Sequence, residues 1–219
     1  MYSAKNELVI SQISENDNLI LDVGCGTGEN ANVIKKLFPG SRITGINHSM
    51  DELAVARSKL DHGILFDLNG VEEFYVEEQY DLIVFSHVLE HLIDPIHAIQ
   101  SCSKFLKENG RVILVVPNLA IWTSRLKLLS GKFNYEEHGL FDRTHLRFYT
   151  WFSLPRELVP TGFKIDKKLA SGHLPLPLIR RLLPIKLIQR IDRFAVNRFP
   201  NLFAWEVGLI ISKKKSISG

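Results

Sequence analysis

The stretch LDVGCGTG, residues 21–28, continues an apolar run that begins at Leu19 and leads directly into a helix-like segment. Its three glycines, at alternate positions, allow positive φ angles and let a ligand approach the main chain without a Cβ in the way. A dinucleotide-binding turn would read G-x-G-x-x-G, but Glu29 follows Gly28, and its carboxylate would disfavour a pyrophosphate at the helix N-terminus. The pattern therefore predicts a strand, a glycine turn and a helix that suit a ligand carrying positive charge.

Short apolar runs alternate with helix-length segments along the rest of the chain, which predicts a mostly parallel sheet. A capping box at 49–52 starts one helix, and an Asp94–Pro95 start and an Asn109–Gly110 stop delimit another; a further helix is expected near 151–159. The final strand should run antiparallel to the others. The predicted strands are 19–23, 42–46, 63–66, 81–85, 111–116, 163–169 and 205–212.

The 219 residues fit one domain, 1–219, better than two. Two insertions, at about 119–150 and 172–203, interrupt the alternation, and insertions of such length in α/β domains are usually functional. We expect them to form a cap at the carboxyl ends of the strands, on the side where an acceptor would enter.

Composition excludes several classes of protein. Cys25 and Cys102 form neither a disulfide framework nor a zinc-spaced pair, and the N-terminus lacks the pattern of a secretory signal. A net charge of +3 is too small to predict nucleic-acid binding, and no apolar run approaches the roughly 20 residues of a membrane span. The sequence thus predicts a cytoplasmic protein.

The glycine turn closely resembles the first motif of class I S-adenosylmethionine (SAM)-dependent methyltransferases. The resemblance implies a Rossmann-like α/β fold with helices on both faces of the sheet, and SAM as cofactor. Asn47 stands where this family has an acidic residue for the ribose hydroxyls, and Asp67 matches the position that reads adenine. The strand-four stretch YDLIVFSHVLEHL, residues 80–92, resembles the FDLVxxxxVLEHL form of members that act on small molecules. The cofactor residues implied are Asp22, Gly24, Cys25, Gly26, Gly28, Asn47, His48, Asp67, Leu68, Ser86 and His87.

The same stretch bears on metal binding. A related RNA methyltransferase family binds a metal through an ExxEH pattern, but here His87 precedes Glu90–His91 where that pattern has glutamate. We therefore predict no metal.

The segment GLFDRTHLRFYT, residues 139–150, is similar to the G-L-x-D-x-T-H-x-R-F-F-T signature of a bacterial subgroup often found among glycan and cell-surface polysaccharide functions. A base must accept the proton if the acceptor is an alcohol, and a positioned base accelerates such steps about 10²- to 10⁴-fold. We predict His145 as general base or acceptor ligand, oriented by Asp142. Equally, Asp142 and His145 could form a structural turn. The predicted acceptor-binding residues are Arg143, Arg147 and His91, although His91 could instead pack under the loop.

A basic amphipathic helix is predicted from Pro184. Apolar residues recur at 185, 188, 191 and 195, with Lys186, Arg190, Arg193 and Arg198 between them. The helix could be a lid with a solvated basic face, or it could touch an anionic membrane or a phosphate-bearing glycan precursor.

These observations predict a SAM-dependent methyltransferase that O-methylates a sugar or cell-surface glycan intermediate. Two alternatives stay open: methylation of a quinone, lipid or natural-product hydroxyl, and a non-catalytic SAM-fold binding protein. Asn47 favours the second alternative, while the glycine turn and Asp67 argue against it.

Overall fold

A computed structural model describes residues 5–175, 180 and 183–214 of the chain. Seven strands form one sheet in the order β3-β2-β1-β4-β5-β7-β6. Strands β1 to β5 pair in parallel, whereas β7 is antiparallel to both β5 and β6. The strands are β1 Leu19–Val23, β2 Arg42–Asn47, β3 His62–Leu65, β4 Tyr80–Ser86, β5 Leu106–Pro117, β6 Phe163–Gly172 and β7 Ala204–Lys213.

Helices cover both faces of this sheet and separate its parallel strands. Two clusters of buried apolar side chains pack against it, one built around Leu21, Phe85 and Leu114 and the other around Ile20, Val84 and Ile113. The described helices are α1 Glu7–Ile10, α2 Glu29–Leu37, α3 Met50–Ala56, α4 Pro95–Ser103, α5 Trp122–Leu129, α6 Leu154–Glu157, α7 Ile185–Arg198 and α8 Pro200–Phe203, with a 3₁₀ turn at Leu89–His91.

The predicted fold class is confirmed, including the antiparallel last strand. All seven predicted strands are present, with ends that differ by a few residues. The central strands could be predicted because they are buried on both faces and therefore read as continuous apolar runs, whereas β3 and β6 are more exposed.

The predicted helix end at Asn109–Gly110 is wrong. Helix α4 ends at Ser103, and the two residues lie in a bulge of β5. Tyr80 pairs with Leu106 while Leu82 pairs with Arg111, so an advance of two residues along β4 corresponds to an advance of five along β5. The turn residues therefore serve a bulge, which sequence alone does not distinguish from a helix stop.

The helices around the insertions were predicted in part. The helix expected over 151–159 shrinks to α6, four residues long. Helix α7 begins after Pro184 as predicted, with Ile188 and Ala195 buried and Ile185 exposed. Residues 176–179 and 181–182 of the second insertion lie outside the described residues.

The order of the sheet fixes where a ligand can bind. The chain runs outward from β1 to β2 and β3, then returns to the other side of β1 with β4. In open α/β sheets the crevice beyond the carboxyl ends of the strands at such a reversal is the usual ligand site. Because β7 is antiparallel, its first residues, rather than its last, lie at this edge, with Glu206 opposite Pro117.

Candidate functional site

A cavity of about 740 Å³ opens at this edge of the sheet, well within the size range of small-molecule and cofactor sites. Residues that follow β1, β2 and β3 line one part, which we call the glycine-loop end. We call the other part the histidine end; it is lined by residues at the start of α1, after β4, in the first insertion, at the end of β6 and at the start of β7. The glycine-loop end comprises Gly24, Gly26, Asn47, Glu52, Asp67 and Leu68, and the histidine end Asn6, His87, His91, Thr144, Ser171 and Glu206.

The glycine loop adopts the positive φ angles that its sequence predicts. Gly24, Gly26 and Gly28 have φ angles of 71°, 52° and 78°, which favour glycine. The N–H groups of Gly24 and Cys25 both donate to the carbonyl of Ile46, at 2.8 and 2.9 Å. A Cβ on Gly24 would lie 2.2 Å from Cγ2 of Val88. The loop is therefore held between β2 and the residues that follow β4.

Asp22 lies beneath this loop and is only 2% exposed. Its Oδ2 has no hydrogen-bond partner among the described residues. Burial raises the pKa of Asp22 to about 7 because a carboxylate removed from water loses its hydration. A buried carboxyl at the end of β1 suits a positively charged ligand, since a nearby cation stabilises the ionised form.

Asn47 stands where the family has an acidic residue, but its side chain holds the carboxylate of Glu52 beside that position. Its Nδ2 donates to the Gly26 carbonyl at 3.1 Å and to Glu52 Oε2 at 3.0 Å, and its Oδ1 accepts from the Ser49 N–H at 3.0 Å. The capping box is thus half formed: Ser49 Oγ accepts from the Glu52 N–H, while the Glu52 side chain turns to Asn47. Glu52 therefore places a negative charge on the cavity wall.

Other predicted cofactor positions also line the cavity. Asp67 does so while its Oδ1 accepts the Asn69 N–H at 2.9 Å, so it is both a turn former and a wall residue. Glu29 lines the cavity as well, paired with Lys59 at 2.6 Å. The hydrogen bond from Lys59 lowers the pKa of Glu29. Of the eleven predicted cofactor residues, nine line the cavity: Gly24, Cys25, Gly26, Asn47, His48, Asp67, Leu68, Ser86 and His87; Asp22 and Gly28 lie behind it.

His87 organises the histidine end. It has a φ of 55°, and its Nε2 lies 2.8 Å from Glu206 Oε2 and its Nδ1 3.4 Å from Glu90 Oε1. Burial acts to lower the pKa of His87, but the carboxylates of Glu206 and Glu90 outweigh it and raise the pKa to about 10. Asn6 Nδ2 also donates to Glu206 Oε2 at 2.8 Å, so α1 closes this side of the cavity.

The predicted pair of Asp142 and His145 is arranged differently from the expectation. His145 is 8% exposed, its Nδ1 lies 3.0 Å from the Leu140 carbonyl, and it does not line the cavity. Asp142 Oδ1 instead accepts from the N–H and the hydroxyl of Thr144, at 2.8 and 2.6 Å. Burial acts to raise the pKa of Asp142, but these hydrogen bonds hold it below the ordinary value. Asp142 therefore orients Thr144, and the backbone conformation turns His145 inward.

Arg143 and Arg147 do not line the cavity either. Arg143 is exposed and pairs with Glu137 at 2.9 Å. Arg147 donates to the carbonyls of Leu92 and Ile93, and its own N–H donates to the Glu90 carbonyl. Arg147 thus fastens the first insertion to the segment after β4. The predicted acceptor residue that does line the cavity is His91, beside Thr144.

Sequence reasoning missed Asn6, Glu52, Thr144 and Glu206. Glu206 left a signal, because it is a lone acidic residue in the apolar run of β7. Glu52 was read as a capping residue only. Asn6 and Thr144 left no such signal, since their positions depend on contacts with β7 and the segment after β4.

These walls fit SAM. Five carboxylates line the cavity. Among the described lining residues, Lys5 is the one lysine and there is no arginine; the ammonium of Lys5 is 3.4 Å from Glu7. Such a field favours a sulfonium and an ammonium group. The wall carboxylates are those of Glu7, Glu29, Glu52, Asp67 and Glu206.

Comparison with known proteins agrees with this fit. Residues 4–168 match the family described as "Methyltransferase domain". A relative from Histophilus somni strain 2336, named ubiquinone biosynthesis O-methyltransferase, is 33% identical over 123 residues, which is 52% of this chain and 51% of the relative. The chain thus aligns with about half the length of such curated relatives.

Solved structures share the fold. A SAM-dependent methyltransferase from Archaeoglobus fulgidus superposes with a TM-score of 0.62 at 20% identity, covering 91% of this chain and 87% of that one. An O-methyltransferase of a polyketide multienzyme from Brevibacillus brevis, solved with S-adenosyl-L-homocysteine (SAH), gives a TM-score of 0.58 at 17% identity, covering 94% and 70%. In the described part of this chain, no helix has the length and apolar character needed to cross a bilayer. With the family match over three quarters of its length, the chain belongs to the methyltransferase-domain family, and it shares the fold of a SAM-dependent methyltransferase among the solved structures.

Proposed function

We propose that this methyltransferase acts on a hydroxyl oxygen of an uncharged, polyhydroxylated small molecule such as a sugar. The observation that carries the proposal is the polarity of the histidine end. Asn6, Thr144, Ser171 and Glu206 offer amide, hydroxyl and carboxylate groups there, which are the partners that neutral hydroxyl groups need.

The charges of the cavity favour an uncharged acceptor. Phosphate recognition relies on arginine or lysine, but Arg143 pairs with Glu137 and Arg147 is engaged by carbonyl groups. The single positive charge of the protonated His87 is shared by Glu206 and Glu90, so it leaves no excess positive charge here for an anion. The sequence predicts that Arg143 and Arg147 engage an anionic or polyhydroxylated acceptor; we now assign the acceptor to the histidine end, where neither arginine lines the cavity.

The residues of this chain would act mainly by positioning. SAM supplies a methyl group that is transferred as the C–S bond breaks and the new O–C bond forms. The glycine-loop end holds the cofactor, while the histidine end presents the acceptor oxygen in line with it. Positioning of this kind can contribute about 7 to 11 kcal/mol. Glu206, held by Asn6 and His87, would accept a hydrogen bond from the acceptor hydroxyl and take its proton as the O–C bond forms.

We assign the cofactor to the walls formed by Gly24, Gly26, Asn47, Glu52 and Asp67. The chain 1–219 would act as one domain, with Thr144 as the contribution of the first insertion to the cavity. Contact with an anionic membrane through α7 stays a prediction.

A quinol-type hydroxyl is the second candidate acceptor. It is favoured by the relatives named ubiquinone biosynthesis O-methyltransferase. It differs from a sugar in needing an apolar or aromatic wall. Val88 and Leu92 supply apolar surface beside His87 and His91, whereas the aromatic cluster of Phe133, Tyr135 and Phe141 in the first insertion lies outside the cavity lining.

An acceptor panel separates these candidates. Purified protein and SAM are incubated with neutral glycosides, with the same sugars as nucleotide diphosphates, and with catechols, and SAH release is measured. We expect turnover of a neutral glycoside with kcat/KM at least about tenfold above that of its charged counterpart. Turnover of catechols alone would contradict the sugar proposal and support the second candidate.

The role of Glu206 has its own test. Glu206→Gln should lower kcat at least about tenfold while the Kd for SAM stays within about twofold. Glu73→Gln, on an exposed glutamate that is 3.9 Å from Lys104, serves as the matched control. Equal loss of SAM affinity and kcat in Glu206→Gln would mean that Glu206 shapes the whole cavity instead.

A further inference from the structure

Glu90 is a buried carboxylate behind the histidine end whose charge is poorly compensated. It is 1% exposed. Apart from the 3.4 Å approach of His87 Nδ1, neither carboxylate oxygen has a hydrogen-bond partner among the described residues. Leaving a buried carboxylate without such partners is costly, so a further cation is expected beside it.

Two histidines face this carboxylate. One carboxylate oxygen of Glu90 and one ring nitrogen each of His91 and His145 all lie within 4.8 Å of one another. The two imidazole rings meet edge to face, with centroids 4.8 Å apart. The sequence predicted no metal because His87 replaces the glutamate of the ExxEH pattern, and it gave no sign that His145 of the first insertion would lie beside Glu90 and His91.

Both histidines are held with one nitrogen available for a ligand bond. His145 Nδ1 lies 3.0 Å from the Leu140 carbonyl, and His91 Nδ1 lies 3.2 Å from the Thr144 carbonyl. Because a carbonyl only accepts, Nδ1 carries the proton in each ring and Nε2 presents its lone pair. Metal-binding histidines characteristically donate their other N–H in this way.

Further contacts fix the three residues in place. The N–H groups of Leu146 and Arg147 donate to the Glu90 carbonyl at 2.8 and 3.1 Å. Thr144 Oγ1 donates to Asp142 and lies 3.1 Å from His91 Nδ1. Asp142 is thereby a positioning residue for His91.

We propose that Glu90, His91 and His145 bind one divalent ion of the zinc class. Two nitrogens and one carboxylate oxygen form a common set of three protein ligands for catalytic zinc, whose fourth position stays open. Since bonds of about 2.1 Å place two ligands at most about 4.2 Å apart, binding would draw the most distant pair together by a small shift of the half-buried His91 side chain. His91 also lines the cavity, so the open position would face the acceptor.

The site is tested by metal binding alone, and therefore independently of the acceptor proposed above. Chelator-treated full-length protein is titrated with Zn²⁺ by calorimetry and with Co²⁺ by visible absorption. We expect one ion per chain, a Kd for Zn²⁺ of about 1 µM or below, Co²⁺ bands typical of a four- or five-coordinate site, and a higher Tm with Zn²⁺.

Variants locate the ion. His91→Ala and Glu90→Gln should each weaken Zn²⁺ binding at least about 100-fold, whereas the control His138→Ala, on an exposed histidine of the same insertion, should leave it unchanged. His91→Ala is the primary variant because its side chain is less buried than those of Glu90 and His145. An absence of Zn²⁺ binding at 100 µM, or an equal loss in His138→Ala, would overturn the proposal and leave His87 as the counter-ion of Glu90 among the described residues.

Discussion

The two ends of the cavity are built by different means. The glycine-loop end is assembled from short local segments, each directly after a strand, with Gly24, Asn47 and Asp67 within a few residues of a strand end. The histidine end joins α1, the segment after β4, the first insertion and the start of β7. Because the glycine-loop end is built locally, a sequence motif predicts its residues, whereas the residues of the histidine end are determined by how distant segments pack.

The largest effect that would sharpen this contrast is expected at Gly24. Gly24→Val combines a φ of 71° with a Cβ 2.2 Å from Val88 Cγ2, and a β-branched residue at positive φ is a genuine outlier. We expect the SAM affinity to fall at least about 1000-fold, or about 4 kcal/mol, by calorimetric titration.

Gly40→Val is the matched control, since nothing lies within 4 Å of a Cβ at Gly40. Retained SAM affinity in Gly24→Val would mean that the loop does not need glycine there.

Asp22 provides a pH-dependent test of the same end. Its pKa is raised by burial from 3.8 to about 7, so the folded protein binds a proton that the unfolded chain has already released. The bound proton therefore contributes to the free energy of unfolding below pH 3.8, and this contribution is lost as pH rises to about 7. The change is about 4 kcal/mol at most, because one pKa unit corresponds to about 1.36 kcal/mol.

Asp22→Asn lacks this titration. Without SAM, the free energy of unfolding of the wild type, measured with urea relative to Asp22→Asn, should therefore decrease between pH 4 and pH 8. A difference that stays constant over this range would show that Asp22 is hydrated or paired in solution.

A smaller effect is expected for Glu52, which supplies the charge that Asn47 lacks. Glu52→Gln keeps the shape of the side chain but loses the charge, and charge-assisted hydrogen bonds are about twice as strong as neutral ones. The Kd for SAM should rise about tenfold, while an exposed neighbour on the same helix, Asp51→Asn, should leave it unchanged. Equal effects from both variants would indicate a general field and no specific contact.

The smallest predicted effect concerns the histidine end and its two arginines. Arg147→Lys loses a planar donor pair to two carbonyls and should lower the free energy of unfolding by about 1 kcal/mol. Arg143→Lys, in an exposed ion pair, should change it by less than about 0.5 kcal/mol. Chemical denaturation measures both, and the reverse order would contradict the placement of the first insertion.

Much of the fold could be predicted because apolar strands and glycine turns are local signals. The bulge at Asn109–Gly110 could not, since pairing with β4 decides it. In the site, the glycine-loop residues followed from a motif. The orientations of His145 and Asp142 could not be predicted, because the Leu140 carbonyl and Thr144 determine which way each side chain turns. The position of Glu206 in the cavity could not be predicted either, because it depends on the antiparallel direction of β7, which brings the start of that strand to the ligand edge of the sheet.

A crystal structure of the protein with SAH tests the central division of the cavity most directly. We predict adenine beside Asp67 and Leu68, ribose hydroxyls within hydrogen-bonding distance of Asn47 or Glu52, the amino acid portion across Gly24 and Gly26, and the sulfur toward His87. SAH bound in the reverse direction, or with its ribose away from Glu52, would contradict the account.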